Sequence, residues 1–375
     1  MADKKAIVIG AGIVGLATAR ALALKGYSVK LFERTQKAVG ASIRNFGMVW
    51  PIGQPDGKLH ERALRSRGVW KEICDAAGIW HEEAGSLHLA YHKDEKEVLE
   101  ELHELFCKNR KTKWLNKEEV LQRSEAANPS GLLGGLYSPD ELIVDPREAI
   151  AAIPAFLSEK FNIEFHWGKC VSYVADHTVY IGNNEEHEAD LIFICSGSDF
   201  ETLYPEIFSE LAITKCKLQM MRIDAQPGGW RIGPALCGGL SLIHYKSFGA
   251  ALSLAKLKQR YEAEIPDYLE WGIHVMVSQN GRGELTIGDS HEYGLTHDPF
   301  DKDFINRMIL DYLQKFADFK DWSVIESWNG VYAKLTDGET DIFLSPEPGV
   351  YILNGAGGAG MTLSFGLAEE VVEGL

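Results

Sequence analysis

Residues 4–33, KKAIVIGAGIVGLATARALALKGYSVKLFER, restrict the fold of this chain more than any other stretch. Ala6–Ile9 is a short apolar run with β-branched residues, the pattern of a buried parallel strand. Gly10, Gly12 and Gly15 follow at the spacing G-x-G-x-x-G, a helical pattern runs from Val14 to about Lys25, and a second strand, Ser28–Phe32, ends at Glu33. Gly10 permits a tight turn, Gly12 lets a pyrophosphate approach the backbone, and Gly15 lets helix and strand pack closely. The helix N-terminus, from Ala11 through Ile13 and Val14, offers free N–H groups and a partial positive charge to phosphates. Glu33 stands where an acid accepts ribose hydroxyls, with Arg34 beside it. Strand, turn, helix, strand and acid in register predict a dinucleotide site. The motif leaves NAD and FAD both open.

At 375 residues, two domains are the natural expectation. A net charge of −16 argues against a nucleic-acid partner, because phosphate binding needs a basic surface. It does not exclude an anionic small substrate, since a pocket can be locally positive. The cysteines Cys74, Cys107, Cys170, Cys195, Cys216 and Cys237 form no C-x-x-C pair or Cys/His ligand cluster. They read as reduced thiols of a cytoplasmic protein, and no metal site is expected. Ala6–Leu24 is apolar enough to mimic a membrane span, but its glycine rhythm and Arg20 favour the nucleotide fold.

Beyond Glu33, residues 34–50 form an irregular polar loop against the outer end of the nucleotide site. His60–Gly78 is helical, with Leu64, Trp70, Ile73 and Cys74 on one face. Gly85–Tyr91 alternates as a strand, and Asp94–Lys108 is an amphipathic helix with a solvated, Glu-rich outer face. Asp145 suits a helix N-cap, Pro146 the first helical position, and Glu148 a capping box; Pro154 should bend or end that helix. Phe161–Trp167 reads as a strand, followed by Gly168 to Val171, and residues 189–199 as a buried strand running into the Ser196-Gly197 turn. Alternating strands then dominate: Lys217–Ile223, Gly239–His244, His274–Ser278 and Glu284–Gly288 predict an antiparallel sheet. Phe304–Phe316 is a helix, and the chain closes with a strand (Val350–Leu353), a glycine turn (Gly355–Gly360) and a helix from Met361.

Three stretches together resemble the FAD-dependent amine and amino-acid oxidoreductases, the D-amino-acid oxidase-like family that includes glycine oxidase and sarcosine oxidase. They are Gly10–Glu33; Gly40–Met48, GASIRNFGM; and Thr336-Asp337-Gly338 followed by Gly355–Leu363, GAGGAGMTL. The resemblance implies an α/β fold. Its Rossmann-like FAD-binding domain, with a mostly parallel sheet, takes 1–84, 142–215 and 327–375; an inserted α+β substrate domain on an antiparallel sheet takes 85–141 and 216–326. It implies non-covalent FAD held by the N-terminal unit, by Ser42, Arg44, Asn45, Phe46, Gly47 and Met48, and by Val171, Ser196, Gly197 and Gly330. The last contacts come from Gly355, Gly357, Gly358, Ala359, Gly360, Met361 and Thr362. The final glycine turn leads into a helix N-terminus, which stabilises negative charge at flavin N1 and C2=O.

Departures from the family narrow the reading. Tyr332 and Gly358 stand where glycine oxidases clamp a substrate carboxylate with arginines. Gly330 replaces the flavin-linking cysteine of sarcosine oxidases, and Thr286 their oxygen-activating lysine, which leaves O2 or another electron acceptor. GSLHLAY, IHYKSF, GIHVMVSQ, IGDSHEYG and SWNGVYAK resemble a bacterial subgroup associated with aminophosphonate breakdown. The polar groups there are His244, Tyr245, Lys246, His274, Gln279, His291, Tyr332 and Lys334, of which Tyr332, Lys334, His244 and Tyr245 are the catalytic candidates. Basic residues for an anionic substrate are Arg44, Lys217, Arg222 and Lys334. The expected function is oxidation of a C–N bond in a small anionic amine by hydride transfer to flavin N5, giving an imine that hydrolyses. The alternative is a flavin-containing subunit of a larger dehydrogenase, serving as scaffold or electron relay. A nicotinamide dehydrogenase would not need GASIRNFGM or GAGGAGMTL.

Overall fold

The computed structural model describes residues 4–375. Its first layer is a six-stranded sheet in the order Ile342–Glu347, Val350–Asn354, Leu191–Ile194, Lys5–Ile9, Ser28–Glu33, Glu164–Trp167. All neighbours are parallel except Ile342–Glu347, which runs antiparallel at the edge. Helix Ile13–Leu24 crosses between the first two strands and stops at Gly26, whose φ of +83° is open to glycine at no steric cost. Its Arg20 is buried and paired with Glu369 at 2.7 Å and Glu72 at 3.4 Å, so the charge that argued against a membrane span is held inside the fold. Among the described residues no helix is long and apolar enough to cross a membrane.

A second, nine-stranded sheet is organised on the long strand Ile213–Ile223, which pairs antiparallel with Val324–Leu335, Leu285–Gly288 and Glu292–Gly294. The sheet is mixed rather than purely antiparallel, because Ala235–Cys237 runs parallel to Ser86–Ala90. The boundaries expected at 216 and 327 fall inside two of its strands, Ile213–Ile223 and Val324–Leu335. Those strands carry residues from this sheet to the edge of the first. The largest apolar core lies under the second sheet, and two others cover the faces of the first.

Several local expectations need correction. Gly239–Ile243 is a 3-10 turn, not a strand. A β-carbon on Gly238 would lie 2.7 Å from the Tyr312 ring and one on Gly239 2.4 Å from the Tyr261 hydroxyl, so the backbone is pressed against side chains. The Leu240 N–H is satisfied by the Tyr312 hydroxyl instead of a neighbouring strand. Helix Pro146–Phe161 runs on through Pro154, whose ring is buried with Ile153 and Leu157 while one backbone hydrogen bond is forfeited. The following strand accordingly begins at Glu164. Asp145 caps that helix, accepting from the N–H of Arg147 and Glu148, but Glu148 pairs with Arg282 instead of completing a capping box. Leu64 is exposed, and on helix Lys93–Phe106 Asp94 and Glu95 are buried against Arg260 rather than solvated.

Candidate active site

One cavity of about 580 Å³ runs from the first glycine turn to the second sheet. Its dinucleotide end is made almost entirely of backbone. Gly10 has φ +105°, and a β-carbon there would lie 2.4 Å from the Cys195 carbonyl oxygen; one on Gly15 would lie 1.9 Å from the Gly10 carbonyl oxygen. Both glycines are demanded by packing. Gly12 is different. Its φ of −69° suits any residue, and a β-carbon would meet only the Ser42 hydroxyl at 3.2 Å. The space that a side chain would take at Gly12 belongs to the cavity, which is what a pyrophosphate against the backbone requires. Glu33 Oε2 accepts from the Ala11 N–H at 2.9 Å, and Oε1 accepts from the Thr35 N–H and hydroxyl. The Ile13 N–H donates to Ser42 Oγ at 2.9 Å, which ties the polar loop to the helix N-terminus.

The other end is made of side chains. Strand Val324–Leu335 brings Tyr332 and Lys334 onto the last glycine turn: Lys334 bridges Ala356 through the backbone, and a β-carbon on Gly358 would lie 3.5 Å from the Tyr332 hydroxyl. The turn Gly357–Ala359 then feeds helix Gly360–Glu373, whose N-terminus faces the cavity. Burial and then the charge of Lys246 pull the Lys334 ammonium below its ordinary range, and among the described residues no carboxylate pairs with it. Opposite lie three imidazoles. The His244 and His274 rings stack with centroids 3.8 Å apart, and His291 lies 4.8 Å from the first and 5.2 Å from the second. His274 and His291 are buried, whereas His244 lies deep in the protein but keeps its surface open to the cavity. Burial, reinforced by the neighbouring imidazoles and Lys334, lowers the His244 pKa well below the usual histidine value. Asp289 stands behind them, 2.9 Å from His274 Nε2. Its pKa is lowered: burial opposes ionisation, and the two histidines more than offset it.

Most residues expected at the cofactor line this cavity: Gly10, Gly12, Ile13, Val14, Glu33, Arg34, Ser42, Arg44, Asn45, Phe46, Met48, Val171, Ser196, Gly197, Gly330 and the whole Gly355–Thr362 stretch. Ala11, Gly15 and Gly47 do not. Ala11 is fully buried, Gly15 packs on Gly10, and Gly47, at φ +71°, would put a β-carbon 1.9 Å from the Val144 carbonyl oxygen. All four catalytic candidates line the cavity, as do Lys246, His274 and His291. Gln279 does not, since its amide is spent on Ile232, Trp230 and Gly283. Of the four basic residues, only Arg44 and Lys334 reach the cavity. Lys217 is buried against the carbonyls of Asp298 and Phe300, and Arg222 against Glu284. Arg44 spends one N–H on the Asn329 carbonyl oxygen at 3.1 Å. The sequence reading missed Asp289, Met276 and Met220 in the lining. Asp289 had a signal: it lies two residues before His291 and therefore points the same way along an extended segment.

A parallel sheet with a glycine turn at its first strand, and a second sheet closing the same cavity, define an α/β dinucleotide-dependent oxidoreductase. Residues 5–374 match the family described as DAO, FAD dependent oxidoreductase, and the chain belongs to that family. The same fold is seen in glycine oxidase from Geobacillus kaustophilus, at a TM-score of 0.76 and 19% identity, covering 99% of this chain and 94% of that one. L-proline dehydrogenase from P. horikoshii is similar at a TM-score of 0.76 and 20% identity, covering 99% and 92%. Among curated proteins, the tRNA 5-methylaminomethyl-2-thiouridine biosynthesis bifunctional protein MnmC of Nitrosospira multiformis is 25% identical over 257 residues, covering 64% of this chain and 39% of that protein. The chain spans less than half the length of the curated relatives it matches. The linings described above fit FAD: an open groove at Gly12, an acid beside it, and an N–H-rich helix start at the far end.

Proposed function

We propose that this enzyme oxidises the C–N bond of a small anionic amine, an amino acid or an aminophosphonate, to an imine that hydrolyses. The observation that carries this reading is the continuity of one cavity, from the glycine groove at Gly12 to the polar pocket of His244, Tyr245, Tyr332 and Lys334. FAD, when bound, supplies the two-electron acceptor for the hydride. The protein does the rest. Glu33 takes the adenosine ribose, and the Gly12 backbone and the N-terminus of helix Ile13–Leu24 take the pyrophosphate. The Gly357–Ala359 turn and the start of helix Gly360–Glu373 place N–H groups where negative charge develops. Tyr332 orients the substrate amine at that turn. Lys334, desolvated and without a carboxylate partner, draws the acidic group of the substrate. Met220, Met276 and Trp50 keep water out of the reacting end.

The name of the MnmC relatives raises tRNA as an alternative substrate. The net charge of −16 speaks against a polyanion on this surface. The free state of all six cysteines suits a cytoplasmic enzyme. The test is the visible spectrum of the purified protein while amines are added anaerobically. We expect 2-aminoethylphosphonate or its N-methyl form to bleach the flavin faster than glycine, sarcosine or D-alanine. Rapid bleaching by sarcosine or D-alanine alone would refute the aminophosphonate half of the reading, and no bleaching by any amine would refute the whole.

A further inference from the structure

We propose that His244, His274 and His291 form a binding site for one divalent transition-metal ion of the zinc class, with a coordination position open to the cavity. The three side chains come from a 3-10 turn and two separate extended segments, 30 and 17 residues apart in sequence, so no local spacing announces them. In space, one ring nitrogen from each lies within 4.8 Å of the other two.

The carbonyl beside His291 fixes where its lone pair points, and His274 stands against a carboxylate. His291 Nδ1 lies 2.8 Å from the Gly272 carbonyl oxygen, which only accepts, so in the neutral ring Nδ1 carries the hydrogen and Nε2 is bare. His274 Nε2 lies 2.9 Å from Asp289 Oδ1 as a close charge contact, and His274 Nδ1 is buried without any partner. A buried imidazole nitrogen with no donor to satisfy it is costly unless something electropositive joins it. A carboxylate or carbonyl beside the far nitrogen, present here at His291 and His274, is the arrangement by which proteins orient histidines on zinc. Three imidazoles without a fourth protein donor match sites that leave one position to water or substrate.

The cluster must tighten to bind. Zinc–nitrogen bonds of about 2.0–2.1 Å put tetrahedral donors roughly 3.3 Å apart. Ring rotation supplies the contraction at His244, which sits on a short turn with its surface open to the cavity. Lys334 faces the same end of the cavity, so an anionic group would lie between the metal and that ammonium. Metal and lysine together would then hold the anionic group between them.

The experiment uses the full, untagged chain with FAD bound. After dialysis against a chelator, Zn2+ is titrated calorimetrically, and Co2+ is titrated with its visible d–d bands as the readout. The expected result is one equivalent bound per chain, with tetrahedral Co2+ absorption displaced by Zn2+. His291→Gln and His274→Ala should each weaken binding at least tenfold, and Asp289→Asn by about 10–100-fold. The flavin spectrum is read in every sample. Unchanged FAD absorbance with metal affinity lost in the variants supports the site, and it separates this proposal from the flavoenzyme reading. No saturable binding, or binding equally strong in the histidine variants, would overturn it. So would binding of inorganic phosphate at this cluster with no metal present.

Discussion

The two ends of the cavity are built from different materials. At the dinucleotide end, the groups that matter are backbone atoms and one acid, drawn from a continuous stretch, residues 10–33, with one hydroxyl added from Ser42. At the reacting end they are side chains, and the residues 244, 274, 289, 291, 332 and 334 meet only because the second sheet folds them together. A cradle for a cofactor can be local, because every dinucleotide presents the same pyrophosphate. A pocket for one substrate draws on scattered positions, where single changes alter specificity without disturbing the cradle.

The sharpest way to break this contrast is to add one methyl group at two neighbouring glycines. Gly10→Ala should destabilise the fold by about 4 kcal/mol or more, because φ +105° and the Cys195 carbonyl leave no room for a side chain. Gly12→Ala should change the melting temperature little while FAD retention falls at least ~100-fold, since its β-carbon meets only the Ser42 hydroxyl, at 3.2 Å, and otherwise takes ligand space. Thermal melts and FAD content of the two variants check this. Equal stability losses would show that Gly12 serves packing and not a ligand.

A smaller effect sits at the seam between the two regions. Glu141 is fully buried, accepts from the Ile52 N–H and the Ser86 hydroxyl, and burial pushes its pKa up to about 7 from 4.5. A carboxyl raised in the folded state holds its proton there while the unfolded chain has released it. Stability is therefore highest below the ordinary value and falls as pH rises toward 7, by roughly 3 kcal/mol from this group. Urea melts at pH 5 and pH 8 should show that loss, and Glu141→Gln should abolish it. A slope unchanged in the glutamine variant would contradict the assignment.

Glu33→Ala should weaken FAD retention about tenfold or more, because hydrogen bonds to a carboxylate contribute ~1.5–3 kcal/mol each. The substrate range should stay as it was. Unaltered FAD affinity would show that the Ala11 and Thr35 contacts exhaust this carboxylate. The smallest expected change is at the other end. Lys334→Ala should raise KM for an anionic amine roughly fivefold, with kcat preserved and little change for a neutral amine, as loss of uniform binding does. Equal KM changes for both amines would remove Lys334 from substrate binding.

The same contrast explains what was legible in the sequence. The spacing of Gly10, Gly12 and Gly15 and the acid at Glu33 read directly, because each obeys a short-range rule of turn and strand. The closing turn at Gly355–Gly360 read for the same reason. Ala11, Gly15 and Gly47 belong to the same motifs yet line nothing, since a motif does not separate the glycines that pack from those that make room. Lys217 and Arg222 looked available for an anion, but the sheet spends both on carbonyls and carboxylates that sequence order does not place beside them. Gly239–His244 alternated like a strand because apolar residues at Leu240 and Leu242 are buried, yet the Tyr312 hydroxyl takes the Leu240 N–H and Tyr261 presses on Gly239 where a strand neighbour would have been. His274 and His291 stood out only as polar residues, and their shared partner Asp289 was evident only once the strands were paired.

The most direct test is a crystal structure of the FAD complex. The account predicts the pyrophosphate against the Gly12 backbone, the ribose hydroxyls on Glu33, and the flavin ring under the Gly357–Ala359 turn, with one face toward His244, Tyr245 and Tyr332. A flavin ring lodged away from that turn, with the histidines and Tyr332 out of its reach, would contradict the assignment of the second end of the cavity as the place where chemistry occurs.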